Sequence, residues 1–472
     1  MAEQLVQPSA AQRIIVKFLA CEGVQVTEIF QKLTPQFGDQ TLSRTCVFTW
    51  HKKYKEERER LEVKLPSPHD YQYEMVGSKG MDSKLRCFIP SIYVQGNMNS
   101  RVFRALTAAV VMLGVGHFAE AVINLSTLQG DLEDYTLAVS HVATVCVGAA
   151  KMIFFVFHEH EFCKLVRWLD ALVASQMEHI RGQLQGEAIF YGAQKLAARV
   201  TLCLLANNVF IVTVWSLAPL MASEGEKRLP FQQLPFAAAY TSPLYELSYA
   251  LQTVSVFVIG FINVHVDCFF SAVMIHTSAQ INLLAFRMTD VYSRNANEKS
   301  KQNSDGGKQR HNSASNDSSY KELCLWVQFH QEITRFVKHL ESVMSPVATM
   351  QFIHGMLSGI MLIFPAASSS ENGDLVKCLA SAPSISTPLL LYCLGAHSVR
   401  EQGESLSLAV YSCHWTDAST SFRRALLIVM NRAQRPYSLT AGGIYPIERS
   451  TFLSLLNAGY SYYALLKNFN GR

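Results

Sequence analysis

From residue 105 onward the chain alternates long apolar runs with polar segments. The runs approach the length of about 20 residues that a helix needs to cross a bilayer. Seven stand out, at 105–125, 135–157, 200–221, 249–274, 343–367, 375–397 and 452–469. His117 and Glu120 dilute the first, and the seventh is short. The pattern predicts an all-α membrane protein with seven transmembrane helices.

Other segments carry the period of an amphipathic helix. Trp326, Phe329, Ile333, Phe336, Leu340 and Met344 recur three or four residues apart, the spacing of one helix face. Residues 162–183 share this character. Asp417-Ala-Ser-Thr-Ser, ahead of the apolar run 422–430, reads as a helix start. Residues 294–319 contain no Val, Ile, Leu, Met, Phe, Trp or Tyr. They cannot bury a core and are expected to form a disordered loop.

The charges set an orientation. Fifteen Lys and Arg precede the first run, and none lies between the first and second. The later segments hold five, two and nine, then none up to Lys377 just inside the sixth run, then six. Basic segments stay on the cytoplasmic side, so the N-terminus is expected inside and the C-terminus outside. Seven-helix receptors that couple to G proteins run the other way. Their Asp-Arg-Tyr-type and Asn-Pro-x-x-Tyr-type sequences are also missing at the ends of the third and seventh runs.

Composition agrees with this class. Charged residues make up 17%, against roughly 25% in soluble chains. A net charge of +4 gives no sign of a nucleic-acid binder. Eleven cysteines without a CxxC pair support neither a zinc ribbon nor a disulfide framework. There is no GxSxG, Walker A loop or GxGxxG, and no paired carboxylates are seen inside a run. Neither enzyme activity nor a cofactor is expected. His158-Glu-His-Glu-Phe-Cys163 lacks the HExxH spacing, and no metal is expected there. Glu120 and Lys151 are ionisable groups within runs, which marks a functional hypothesis by default. Glu120 lies near the outer end of its run, and Lys151 is placed to snorkel from the inner end of the second.

The first 65 residues differ from the rest. They show no signal-peptide pattern and read as three helices at about 9–21, 26–36 and 41–60, with Gly23 and Gly38-Asp39 at the turns. Val47, Phe48 and Trp50 are the core candidates of the third. This is a helix-turn-helix pattern. The string GVQVTEIFQKLTPQFGDQTLSRTCVFTWHKKYKEERERLE resembles the N-terminal DNA-binding segment of mariner-type transposases. The resemblance implies that Ser43, Arg44 and Thr45 face base edges and that Lys52 and Lys53 meet phosphates. A basic linker is replaced by KLPSPHD, however, and no acidic catalytic domain follows. Over residues 1–65, ten Lys and Arg stand against eight Asp and Glu. Transposition is therefore excluded and nucleic acid is not expected as a partner. DNA binding through residues 9–64 is the alternative. The segment reads as a transposon-derived exon joined to a membrane-protein gene, followed by a linker over 66–84.

The C-terminal stretch RRALLIVMNRAQRPYSLTAGGIYPIERSTFLSLLNAGYSYYALLKN, with AVYSCHWTD upstream, resembles the end of insect odorant receptors. The resemblance covers residues 85–472 and is most specific over the last seventy. It implies an odorant-gated, non-selective cation channel in the plasma membrane, formed as a heterotetramer with a co-receptor. The last helix would line the pore, with Leu465 and Phe469 at a constriction and Ser461 on the same face toward water or ions. A related gustatory-type receptor forming its own homotetramer is the alternative. The ligand would be a small volatile molecule in a mostly apolar pocket in the outer half of the bundle. The orientation places Val212, Trp215, Tyr249, Thr253 and His141 there, with Ser384 or Ser386. Tyr135 and Tyr245 fit an interfacial aromatic belt better.

Overall fold

The computed structural model describes residue 16 and residues 25–37, 43–63, 100–128, 132–180, 182–217, 219, 228–231, 233–302, 311–368, 372–413, 415 and 418–470. The described chain is nearly all helical. Its helices are α1 (Val26–Phe37), α2 (Arg44–Val63), α3 (Ser100–Thr127), α4 (Leu132–Phe157), α5 (Glu159–Ile180) and α6 (Leu184–Leu217). After a 3-10 turn at Ala237–Tyr240 come α7 (Leu244–Gln302), α8 (His311–Ser368), α9 (Asn372–Ser412) and α10 (Thr420–Ala433). A short hairpin of β1 (Thr440–Ala441) and β2 (Tyr445–Pro446) leads into α11 (Arg449–Asn470). The chain forms two compact units, one of residues 82–279, 336–400 and 438–472, the other of residues 1–81, 280–335 and 401–437.

The larger unit holds most of the apolar runs. Five described helices are long and apolar enough to cross a membrane: Ala108–Thr127, Asp134–Phe157, Leu184–Leu217, Leu244–Thr289 and Leu379–Ser412. The expected runs at 343–367 and 452–469 fall on α8 and α11, where the side chains of 362–368 and 462–470 lie outside the described residues. On α6, Leu202, Val209 and Phe210 point outward while Leu204, Asn208 and Val212 are buried. An outward face this apolar suits lipid. Helix α5 buries Phe162, Leu165, Leu169, Leu172, Val173, Gln176 and Ile180, as the period over 162–183 predicts. The hairpin before α11 pairs Thr440 with Pro446 and Ala441 with Tyr445. Gly442 and Gly443 take φ of 64° and 69°, the left-handed region that glycine enters without strain. Thr440 Oγ1 donates to Glu341 Oε1 at 2.7 Å, and Arg400 forms an ion pair with Glu448. These bonds hold the hairpin to α8 and α9.

The other unit contains the transposase-like segment and the polar ends of α7, α8 and α9. Helices α1 and α2 pack together, burying Ile29 and Val47, while Phe48 is exposed. Helix α2 begins at Arg44, three residues later than expected, because Ser43 Oγ accepts from Cys46 N at 3.3 Å and caps it. Of the first expected helix only Val16 is described, and it is helical and buried. Residues 66–84 lie outside the described residues. Helices α7 and α8 run into the segment 294–319 from both sides, and residues 303–310 between them are not described. The face at 326–344 is buried at all six of its apolar positions. Arg287 lies 5.6 Å from the Trp326 ring centre and 5.8 Å from that of Phe329, a cation–π arrangement. Ser419 caps α10 by accepting from Phe422 N, so the helix starts where Asp417-Ala-Ser-Thr-Ser placed it. Tyr437 meets Thr334 hydroxyl to hydroxyl at 3.2 Å. A Cβ at Gly403 would come within 2.5 Å of the Tyr437 ring, so only glycine fits there.

His330 in this unit is buried. Burial, then the nearby Arg432, lowers its pKa to about 3. The unfolded chain therefore binds this proton at a higher pH than the folded chain does. Stability is retained above the unfolded value near 6.5 and is lost as pH falls from there toward about 3. At about pH 5 the loss should be about 2 kcal/mol. His330→Gln should flatten the melting temperature between about pH 7 and pH 5. An unchanged slope in that variant would assign the effect to another group.

Candidate functional site

Six helices of the larger unit and the loop carrying Phe231 line a partly open cavity of about 130 Å³. One end is aromatic. Trp215 on α6 stacks on Phe231 at 5.8 Å between ring centres and 7° between planes. His141 on α4 adjoins both rings, 5.9 Å and 25° from Phe231 and 6.4 Å from Trp215, so the three rings form a cluster. Trp215 Nε1 donates to Ser381 Oγ on α9 at 3.0 Å. His117 on α3 meets His141 through their Nε2 atoms at 3.1 Å. That bond requires opposite roles, one Nε2 carrying the proton and the other accepting it.

The opposite end is polar. Lys151 on α4 is fully buried, and its Nζ donates to Asp267 Oδ1 of α7 and to Gln351 Oε1 of α8, both at 2.6 Å. Tyr392 of α9 donates to the same Asp267 oxygen at 3.1 Å. The network ties four helices together, and Asp267 lines the cavity. The expectation that Lys151 snorkels to an interface is therefore corrected, because a counter-charge and an amide receive its ammonium inside the protein. Between the two ends, Thr144 Oγ1 and His354 Nε2 lie 3.1 Å apart.

The structure brings His141, Val212, Trp215 and Ser384 onto this cavity. Tyr249 and Thr253 stand apart from it. The Tyr249 hydroxyl is committed to the Ser216 carbonyl. Thr253 bonds back to Tyr249 O at 2.9 Å and lines a separate groove with Val212 and Phe257. Tyr135 and Tyr245 donate to the carbonyls of Leu128 and Arg228. Ser386 bonds back to Ala382 O. Glu120 Oε2 lies 3.9 Å from His117 Nδ1. Ser461 is exposed on α11 and bonds to Asn457 O at 2.9 Å. Leu465 and Phe469 belong to the same helix, and their side chains lie outside the described residues. Ser43, Arg44, Thr45, Lys52 and Lys53 are all exposed on and before α2, with Lys53 Nζ 4.9 Å from the Trp50 ring centre.

Sequence reasoning missed His117, Asn208, Phe231, Asn263, Asp267 and His354 as lining residues. One signal was available for Asp267. It lies inside the fourth apolar run, where an acidic residue is expected to have a buried partner. Phe231 sits in a loop that hydropathy does not place.

Comparison with known proteins fits this architecture. The family model described as 7tm Odorant receptor matches residues 131–460. Odorant receptor 10 of Aedes albopictus is 26% identical over 56% of this chain and 66% of its own length. Odorant receptor 19a of Drosophila melanogaster is 32% identical over 30% of this chain and 38% of its own. The chain thus spans under two thirds of these relatives. The insect olfactory receptor OR5 from Machilis hrabei, solved in complex with eugenol, superimposes with a TM-score of 0.63 at 19% identity. That match covers 79% of this chain and 91% of the other. Without eugenol the TM-score is 0.61 at 18% identity, over 88% and 98%. At such identity the likeness speaks for the fold. With 131–460 matched by the family model and five helices fit to span a membrane, the chain is a multi-pass membrane protein that belongs to the 7tm odorant receptor family.

Proposed function

We propose that the chain is a tuning subunit of an odorant-gated cation channel, working with a co-receptor in the plasma membrane of olfactory neurons. A volatile molecule enters the cavity and α11 lines the pore. Ser461, Leu465 and Phe469 form its inner face, with the N-terminus cytoplasmic and the C-terminus outside. The observation that carries the reading is the cavity with the Trp215, Phe231 and His141 rings clustered at one end. Such a cluster takes an uncharged ring through its faces and edges. Eugenol, bound by the related receptor, is a ligand of this kind. Thr253 is assigned to the neighbouring groove. Residues 1–65 are assigned no nucleic-acid role, on the near balance of their charges.

Cation current should appear in cells expressing this chain together with an insect co-receptor when a panel of volatiles is applied. The chain alone should give none. Current from the chain alone would replace this reading with a homotetrameric gustatory-type channel. Salt-dependent duplex binding by the full chain would restore the DNA-binding alternative.

A further inference from the structure

Beside His354 Nδ1 on α8, three buried polar atoms on α6 and α7 around the cavity have no hydrogen-bond partner among the described residues. They are Asn208 Nδ2 on α6, and Asn263 Oδ1 and Asp267 Oδ2 on α7. All three side chains line the cavity. Asp267 is only 1% exposed, and its other oxygen is already taken by Lys151 and Tyr392. A buried polar atom left unpaired costs about 1–3 kcal/mol, so an arrangement with three around one cavity favours a molecule that satisfies them.

Their placement is ordered. Asn208 packs on α7 at Gly260, where an added Cβ would lie 2.6 Å from Asn208 Oδ1. Asn263 and Asp267 follow Gly260 at three and seven residues, on the same face of α7. Along α6, Asn208 lies seven residues, about 10.5 Å, from Trp215. The cavity therefore has an aromatic end and a polar end separated by roughly the length of a ring with a short chain.

The three atoms on α6 and α7 comprise one donor and two acceptors. A carbonyl or ether can only accept, and leaves Asn263 and Asp267 unmet. An aromatic N–H can only donate, and leaves Asn208 unmet. A hydroxyl accepts from Asn208 and donates its one proton to either Asn263 or Asp267, so it meets an atom on both helices. Resting on the ligand-gated reading above, we propose that the cavity selects small uncharged alcohols or phenols. The ring lies against the Trp215 stack, and the hydroxyl lies between Asn208 and the Asn263–Asp267 face.

Three compounds of equal heavy-atom count test this: phenethyl alcohol, phenylacetaldehyde and propylbenzene. Their binding to the purified full chain is measured by displacement of a fluorescent ligand, separately from any current. The alcohol should bind at least about tenfold more tightly than either analogue, the equivalent of one net hydrogen bond. Asn263→Leu should bring the alcohol and the aldehyde to within about threefold of each other. Propylbenzene binding should be kept in that variant, which shows that it is folded. Equal binding of the three by the unaltered chain, a ratio unchanged by Asn263→Leu, or no binding of the alcohol would overturn the proposal. Alcohol-selective binding without current would uphold it and overturn the channel reading instead.

Discussion

Lys151→Met is expected to destabilise the folded chain by about 3–5 kcal/mol, the usual consequence of removing one partner of a buried ion pair. The cause is less the lost contact than what remains. Asp267 would keep only the Tyr392 hydroxyl on Oδ1, with an uncompensated charge that is 1% exposed. Gln351 would lose the donor now 2.6 Å away. The double variant Lys151→Met with Asp267→Leu should recover most of the loss, because an apolar pair of similar volume often replaces a buried ion pair at little cost. Both are read by thermal unfolding of the detergent-purified protein and by its amount at the cell surface. If the double variant melts as low as the single one, the ion pair is not what Lys151 contributes.

Trp215→Ala is expected to raise the half-maximal ligand concentration by about 100-fold or more, corresponding to roughly 3 kcal/mol of lost aromatic contact. The indole supplies the flat face on Phe231 and donates to Ser381. Its removal widens the aromatic end and leaves Phe231 stacked on His141 alone. Trp215→Phe keeps a ring and loses only the N–H, so it should cost about tenfold or less. Dose–response curves at matched surface expression separate the two. Equal sensitivity of the alanine variant and the parent would remove the ligand from this cavity.

The membrane architecture was legible in the sequence because lipid-facing helices must be apolar over a fixed length. The core face from Trp326 to Met344 was legible because its period matches one side of a helix. Helix ends were not. Helix α7 was expected over 249–274 and continues to Gln302. Its continuation buries Gln280 and Arg287, and hydropathy reads such protein-buried polar residues as loop. The aromatic half of the site was partly visible, since Trp215 and His141 lie where a span approaches its end. The polar half was not, because Asn208, Asn263 and Gln351 look ordinary until three helices face each other. Lys151 and Asp267 are separated by 116 residues, and each was readable only as a partner of the other.

That separation has a bearing on biosynthesis. A lysine in an isolated membrane helix disfavours insertion, by about 2.5–3.5 kcal/mol at the centre and by less toward the end, where Lys151 lies. At a synthesis rate of about 5–20 residues per second, Asp267 follows Lys151 by about 6–23 s. Gln351, 200 residues downstream of Lys151, follows it by about 10–40 s at the same rate. During that interval α4 carries a bare ammonium with no counter-charge from its own chain. Until α7 emerges, the Lys151 ammonium is expected to stay at the water boundary, and α4 reaches its final depth only when Asp267 receives it.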